Sequence, residues 1–121
     1  AKPVRQGRTY WIEREGHVWL VQRPPEGMLG GMRALPDDGW SAKADGAGVA
    51  PMRGDWADAG AVRHTFTHFT IELTVLRLDG ADPDPAGDGV WWPLEKLKDA
   101  GLPTLFAKAA RLAEAARERL L

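Results

Sequence analysis

Arg63-His64-Thr65-Phe66-Thr67-His68-Phe69 gathers more chemically able side chains than any other stretch of this chain. An imidazole can donate, accept or ligate a metal near neutral pH. A hydroxyl donates and accepts at once. An aromatic ring offers a face for stacking. Taken alone, the set is compatible with a metal site, a catalytic site or neither. The surrounding periodicity says where it stands. Val62, His64 and Phe66 share one parity, whereas Phe69, Ile71, Leu73 and Val75 take the other. The apolar face of a strand repeats every second residue, so a switch of parity requires a turn or bulge between two strands. The break falls at Phe66-Thr67-His68, which predicts a hairpin tip. Exposed tips bind ligands more often than they hold a core together.

The elements that must position this tip follow from pattern. Thr9 to Glu13 and His17 to Arg23 are rich in β-branched and aromatic residues and are joined by Arg14-Glu15-Gly16, which predicts a first hairpin. Pro24, Pro25 and the glycines up to Gly31 forbid regular structure over most of the next stretch, with a short strand expected at Met32 to Leu35 before Pro36. Asp37 to Asp55 is mostly Gly, Ala, Asp and Pro, with a turn of helix expected near Ser41 to Ala44. Trp56 to Phe66 and Phe69 to Leu78 form the second strand pair, Asp79 to Gly89 a loop, and Val90-Trp91-Trp92 a short strand. Pro93 suits the first turn of a helix from Leu94 to about Ala100, with Gly101 as its stop. Thr104 opens a long final helix. Leu105, Ala109, Leu112, Ala116 and Leu120 form its apolar stripe, and Lys108, Arg111, Glu114 and Glu118 face water. Strands first and helices last define one α+β domain, residues 9–121, after a basic linker or tail at residues 1–8. That tail reads as the join to a longer protein.

Composition removes several kinds of function. The 121 residues suit one domain with a real core. With no cysteine, the chain cannot use disulfides, thiolate zinc, iron–sulfur clusters or thiol catalysis. No apolar run reaches membrane length and no signal peptide precedes the fold, so a cytoplasmic, nucleoid-associated bacterial protein without a membrane partner is expected. The net charge of -1 carries no global signature of nucleic-acid binding, but Arg outnumbers Lys, and a local Arg patch suffices to grip phosphate.

Three segments resemble a known family. Gln22-Arg23-Pro24-Pro25-Glu26-Gly27-Met28-Leu29-Gly30-Gly31-Met32-Arg33-Ala34-Leu35-Pro36, then His64-Thr65-Phe66-Thr67-His68, then Trp91-Trp92-Pro93-Leu94 with Gly101-Leu102-Pro103-Thr104-Leu105 are similar in order and spacing to the C-terminal domain of the MutY adenine DNA glycosylases. The resemblance runs from about Thr9 to Leu112. It implies a Nudix-like fold, a mixed sheet flanked by helices, and recognition of 8-oxoguanine opposite adenine in duplex DNA during base excision repair. It also implies that the parent hydrolyses an N-glycosidic bond in a separate N-terminal catalytic domain. The iron–sulfur cluster belongs to that domain, and no cofactor belongs to this chain. Carried onto these residues, Phe66 is the stacking wedge, Thr67 the lesion reader at a position where the family most often has Ser, and His68 a phosphate donor or loop support. Arg63 and His64 are weaker candidates for backbone contact.

Rival readings exist. A Nudix hydrolase acting on an oxidised nucleotide such as 8-oxo-dGTP needs a helix of glutamates to hold divalent metal, yet no Glu lies between Gly27 and Ile71. Asp37, Asp38, Asp45, Asp55 and Asp58 are separated by Gly- and Pro-rich sequence and could not present one helical cluster. A protein-interaction module is a third reading. Phe66 could simply end a core strand, Thr67 could bond turn backbone, and His64 reads as a packed strand residue. His64 and His68 stand four apart on a β segment and His17 lies in the other hairpin, so no metal site is expected. Trp11, Trp19, Trp56, Trp91 and Trp92 read as core or domain-interface residues. Gly30-Gly31 lacks the Lys-Ser/Thr of a phosphate loop and reads as a tight turn or a close approach. Lys108, Arg111, Arg117 and Arg119 read as a solvated helix face.

Overall fold

A computed structural model describes residues 2–120, apart from the side chains of Glu118 and Leu120. The places expected for those two on the final helix therefore lie outside the described residues. Strands β1 (Val4–Arg14), β2 (His17–Gln22), β3 (Arg33–Ala34), β4 (Ala57–Thr65), β5 (Thr70–Asp79) and β6 (Gly89–Pro93) form one mixed sheet, followed by a 3₁₀ helix (Leu94–Ala100) and helix α1 (Thr104–Leu120). This is the α+β architecture the pattern of elements predicts.

The first strand begins well before Thr9. Val4 to Arg8, expected as linker or tail, pair in parallel with β5, from Val4 opposite Thr70 through Glu13 opposite Asp79. Composition misled here because Gln6 and Arg8 occupy the side of the strand that the terminal helix does not cover. The other side holds Gly7, where a Cβ would run into the Trp40 indole. A parallel pair places the start of β1 at the start of β5, so the chain enters the fold beside the predicted tip.

Strands β1 and β2 pair only near their turn, at Glu13 with Val18 and Arg14 with His17. Beyond that point the two diverge, and Pro36 to Gly46 fills the gap along β1. The amide of Tyr10 donates to the Pro36 carbonyl, that of Asp38 to Arg8, and that of Gly46 to Gln6. Asp38 is buried, and its carboxylate accepts from the amides of Arg8 (3.0 Å) and Gly48 (2.9 Å). The composition that looked unstructured is thus a loop pinned by its aspartates. No helix forms at Ser41 to Ala44. Those residues make a tight turn closed by reciprocal backbone bonds, with the Lys43 amide donating to Ser41 Oγ (3.1 Å), because the stretch between Gly39 and Gly46 is too short to repay helix nucleation.

Two cores result. One lies between the sheet and α1 and contains Trp11, Leu20, Trp40, Phe69, Ile71, Leu73, Leu105, Phe106 and Ala109. The other, on the opposite face, contains Tyr10, Ile12, Trp19 and Leu78, with Trp56 and Trp91 packed against it. The apolar side of α1 is broader than the expected stripe: Phe106, Ala110 and Ala113 are buried with Leu105, Ala109 and Ala116, while Leu112 is half-buried at the edge. Arg117 departs from the expected solvated face. It donates to Glu13, which also accepts from the buried Arg77 (2.8 Å) and from Trp11 Nε1 (3.0 Å). Arg77 in turn donates to the Ala113 carbonyl (2.8 Å), so the sheet holds the helix through charge-assisted bonds.

Candidate functional site

The hairpin tip forms where the parity break places it. Thr65 opposite Thr70 is the last pair of β4 and β5, and their hydroxyls share a hydrogen bond of 3.1 Å. The Phe66 amide donates to the Phe69 carbonyl (2.8 Å), which closes a tip of Phe66, Thr67, His68 and Phe69. Thr67 and His68 are exposed at the apex.

Beneath the apex the tip is stiffened by aromatic packing. Phe69 is buried and stacks on the half-buried Phe66, with centroids 4.9 Å apart at 20°. Trp40 lies under both, 6.4 Å from each ring. The His64 ring meets Phe66 edge-on at 4.7 Å. Burial, then the charge of Lys108, holds the His64 imidazole below its ordinary pKa, so it favours the neutral form. The Phe66 ring is therefore part of the tip's foundation and only partly available to a partner.

The structure brings Phe66, Thr67 and His68 together and sets Arg63 apart. Arg63 lies opposite Glu72 on the other face of the hairpin from His64, and its exposed guanidinium pairs with Glu72 at 3.1 Å. Residues that the sequence did not single out complete the site. Lys2 donates from Nζ to the Phe66 carbonyl (3.1 Å) across the start of β1. Trp40 anchors the aromatic stack, yet it sits within Gly- and Asp-rich sequence that gives no strand or helix signal. Only its being a lone tryptophan in such a stretch could have marked it.

The donor set for a hydrolytic metal does not fit. Residues 37–55 carry no helix, and among the described residues no three His, Asp or Glu gather as a metal site. Four of the five candidate aspartates are engaged elsewhere, and Asp55 is exposed. Asp37 binds Arg23 (2.6 Å) and the Gly39 amide, Asp38 two amides, Asp45 the Gln6 amide and Asp58 the Gly60 amide.

A mixed sheet backed by a terminal helix, with a split between its first strands, defines the class, and a family model agrees. The model described as NUDIX domain matches residues 8–112, so the chain belongs to the Nudix family. Among solved structures it is similar to the C-terminal domain of mouse MUTYH in complex with human PCNA, at 23% identity over 93% of this chain and 89% of that one, with a TM-score of 0.65. The MutT protein from Methanosarcina mazei Go1 matches at 23% identity over 94% and 96%, with a TM-score of 0.67. A MutT NUDIX hydrolase from Burkholderia pseudomallei matches at 16% over 92% and 98%, with a TM-score of 0.72. At these identities the likeness concerns the fold.

Proposed function

We propose that this Nudix domain reads 8-oxoguanine opposite adenine in duplex DNA, as the lesion-recognising part of an adenine DNA glycosylase in base excision repair. The observation that carries the reading is the tip: an exposed hydroxyl and imidazole, Thr67 and His68, held on a rigid aromatic base. 8-Oxoguanine differs from guanine by an N7–H donor beside a C8 carbonyl acceptor. One hydroxyl that both donates and accepts answers that pair. His68 would donate to phosphate or order the loop. Phe66 would stack at the lesion through the exposed part of its ring, which returns about 1–3 kcal/mol per base. Arg63 would reach the DNA backbone, and His64 would support Phe66 from beneath. Its partners would be lesion-bearing duplex and a separate N-terminal catalytic domain carrying an iron–sulfur cluster.

The motif agreement, the likeness to the MUTYH domain and the misfit of the metal donor set all support this reading. The test is selectivity. Thr67→Ala in the whole enzyme should reduce the preference for 8-oxoguanine over guanine by about 0.5–1.5 kcal/mol, roughly two- to tenfold, measured by duplex binding. Equal preference in parent and variant removes Thr67 from the reader role.

A second reading, pyrophosphate hydrolysis of an oxidised nucleotide, draws on the likeness to MutT proteins. Magnesium-dependent pyrophosphate release from 8-oxo-dGTP by this chain would establish it and overturn the first. The expected result is no release above that of the magnesium control. The MUTYH structure with PCNA supports a protein-binding role on the same fold, compatible with either reading.

A further inference from the structure

The face of the sheet turned away from α1 carries a second arrangement of recognition groups. Arg8 shares that face with Tyr10 and Ile12, because alternate residues of a strand point the same way. The loop that closes the gap beside β1 crosses to this face at Gly48 and runs through Ala50, Met52, Arg53 and Gly54 to Trp56. Together with Arg8 these residues line an open depression of about 530 Å³.

Its chemistry is specific. Arg8 and Arg53 are both exposed, and neither takes part in an ion pair among the described residues. Arg8 makes a long contact to the Gly48 carbonyl (3.4 Å), and its guanidinium stands beside the Tyr10 hydroxyl. Asp38 lies below with both carboxylate oxygens committed to the backbone amides of Arg8 and Gly48. Two guanidinium groups without a carboxylate partner that line one depression suit a phosphate, which accepts from such groups on several oxygens. The third component is Trp56. Its indole is fixed by a bond from Nε1 to the Met52 carbonyl (3.2 Å) and by edge contact with the buried Tyr10 at 5.1 Å. A half-buried, immobilised indole costs little entropy when it receives a flat ring. Gly48 takes φ 74°, a conformation that favours glycine, where the loop passes the Arg8 guanidinium.

We propose that Arg8, Arg53 and Trp56 form a binding site for a nucleoside phosphate, with the phosphate on the two guanidinium groups and the base on the indole. The site lies on the opposite face from Phe66 and His64 and does not depend on the lesion-reading assignment. The ligand could be a free nucleotide or one nucleotide of a DNA strand, and the same measurement distinguishes them.

The test follows the tryptophan indole N–H resonances of the chain during titration with dGMP, with a short single-stranded oligonucleotide, with deoxyguanosine and with inorganic phosphate. Both dGMP and the oligonucleotide should move the Trp56 resonance. Tighter binding of the oligonucleotide assigns the site to a DNA strand, and tighter binding of dGMP to a free nucleotide. Deoxyguanosine and phosphate alone should bind more weakly than either. The double variant Arg8→Ala, Arg53→Ala should weaken binding by about tenfold or more while leaving the unfolding midpoint unchanged, because both side chains are exposed. A Trp56 resonance unmoved by both probes overturns the proposal. So does binding that persists unchanged in the double variant, or a response that phosphate alone reproduces.

Discussion

His64 and Phe66 show how one side chain can be both chemical and structural. The motif offers two imidazoles four residues apart, but their environments separate them. His68 stands in solvent at the apex, while His64 is packed against Phe66 and faces Lys108. Burial first, and the lysine charge second, disfavour its protonation. The His64 ring should therefore titrate below its ordinary value of 6.5, and Lys108→Gln should bring the midpoint part of the way back, both read by NMR. A midpoint at or above the ordinary value would show that His64 is not packed in this way. The same packing weighs on Phe66. A ring already stacked on Phe69 over Trp40 has little of its face free, so under the proposed reading its main contribution would be to hold Thr67 in place. Positioning of that kind is a recognised source of precision in a binding site.

At the scale of elements, the parallel pairing of β1 with β5 decides most. It brings Lys2 to the tip, buries Gly7 beneath Trp40 and supplies the edge on which the loop from Pro36 is laid. Removing residues 1–8, which composition alone treats as dispensable, would strip half of β1 from β5 and release Gly46 from Gln6. The shortened chain should lose on the order of 3–5 kcal/mol, at about 1 kcal/mol for each backbone bond, measured by chemical denaturation. An unchanged midpoint would mean that these residues are a tail. The loop itself shows how aspartates substitute for a helix. Where a Nudix hydrolase needs a helix of glutamates, this chain places Asp37, Asp38 and Asp45 on a guanidinium and backbone amides. Their charge is then used to shape the chain.

For the molecule as a whole, α1 is held to the sheet by Glu13, Arg77 and Arg117. Burial pushes the Glu13 carboxyl up, but hydrogen bonds from Arg117 and Trp11 and the charge of Arg77 outweigh it, so its pKa lies below the usual 4.5. A carboxylate depressed in the folded state adds stability above its unfolded pKa and loses it as pH falls through the folded value. Glu13→Gln should therefore cost about 1.5–3 kcal/mol at neutral pH, the worth of bonds to a charged group. The difference between parent and variant should shrink below pH 4.5. Denaturation curves across that range measure both. A constant difference would mean that the carboxylate charge is not what ties helix to sheet.

Local pattern was enough for the β4–β5 hairpin, the tip at Phe66 to His68, the stop at Gly101 and the Leu105, Ala109 and Ala116 line of α1, because periodicity and turn chemistry act over a few residues. The missing cysteines and glutamates were equally legible, since composition alone limits chemistry. Tertiary structure decided the rest. A basic, polar segment becomes strand only because β5 offers it an edge, and Trp40 becomes a core residue only because the diverging strands leave room for its loop. Arg77, Glu13 and Arg117 meet across 64 and 104 residues of sequence, beyond the reach of any local pattern. The hairpin tip is therefore written in sequence, but the platform that holds it, from Lys2 to Trp40, exists only once distant segments share one sheet.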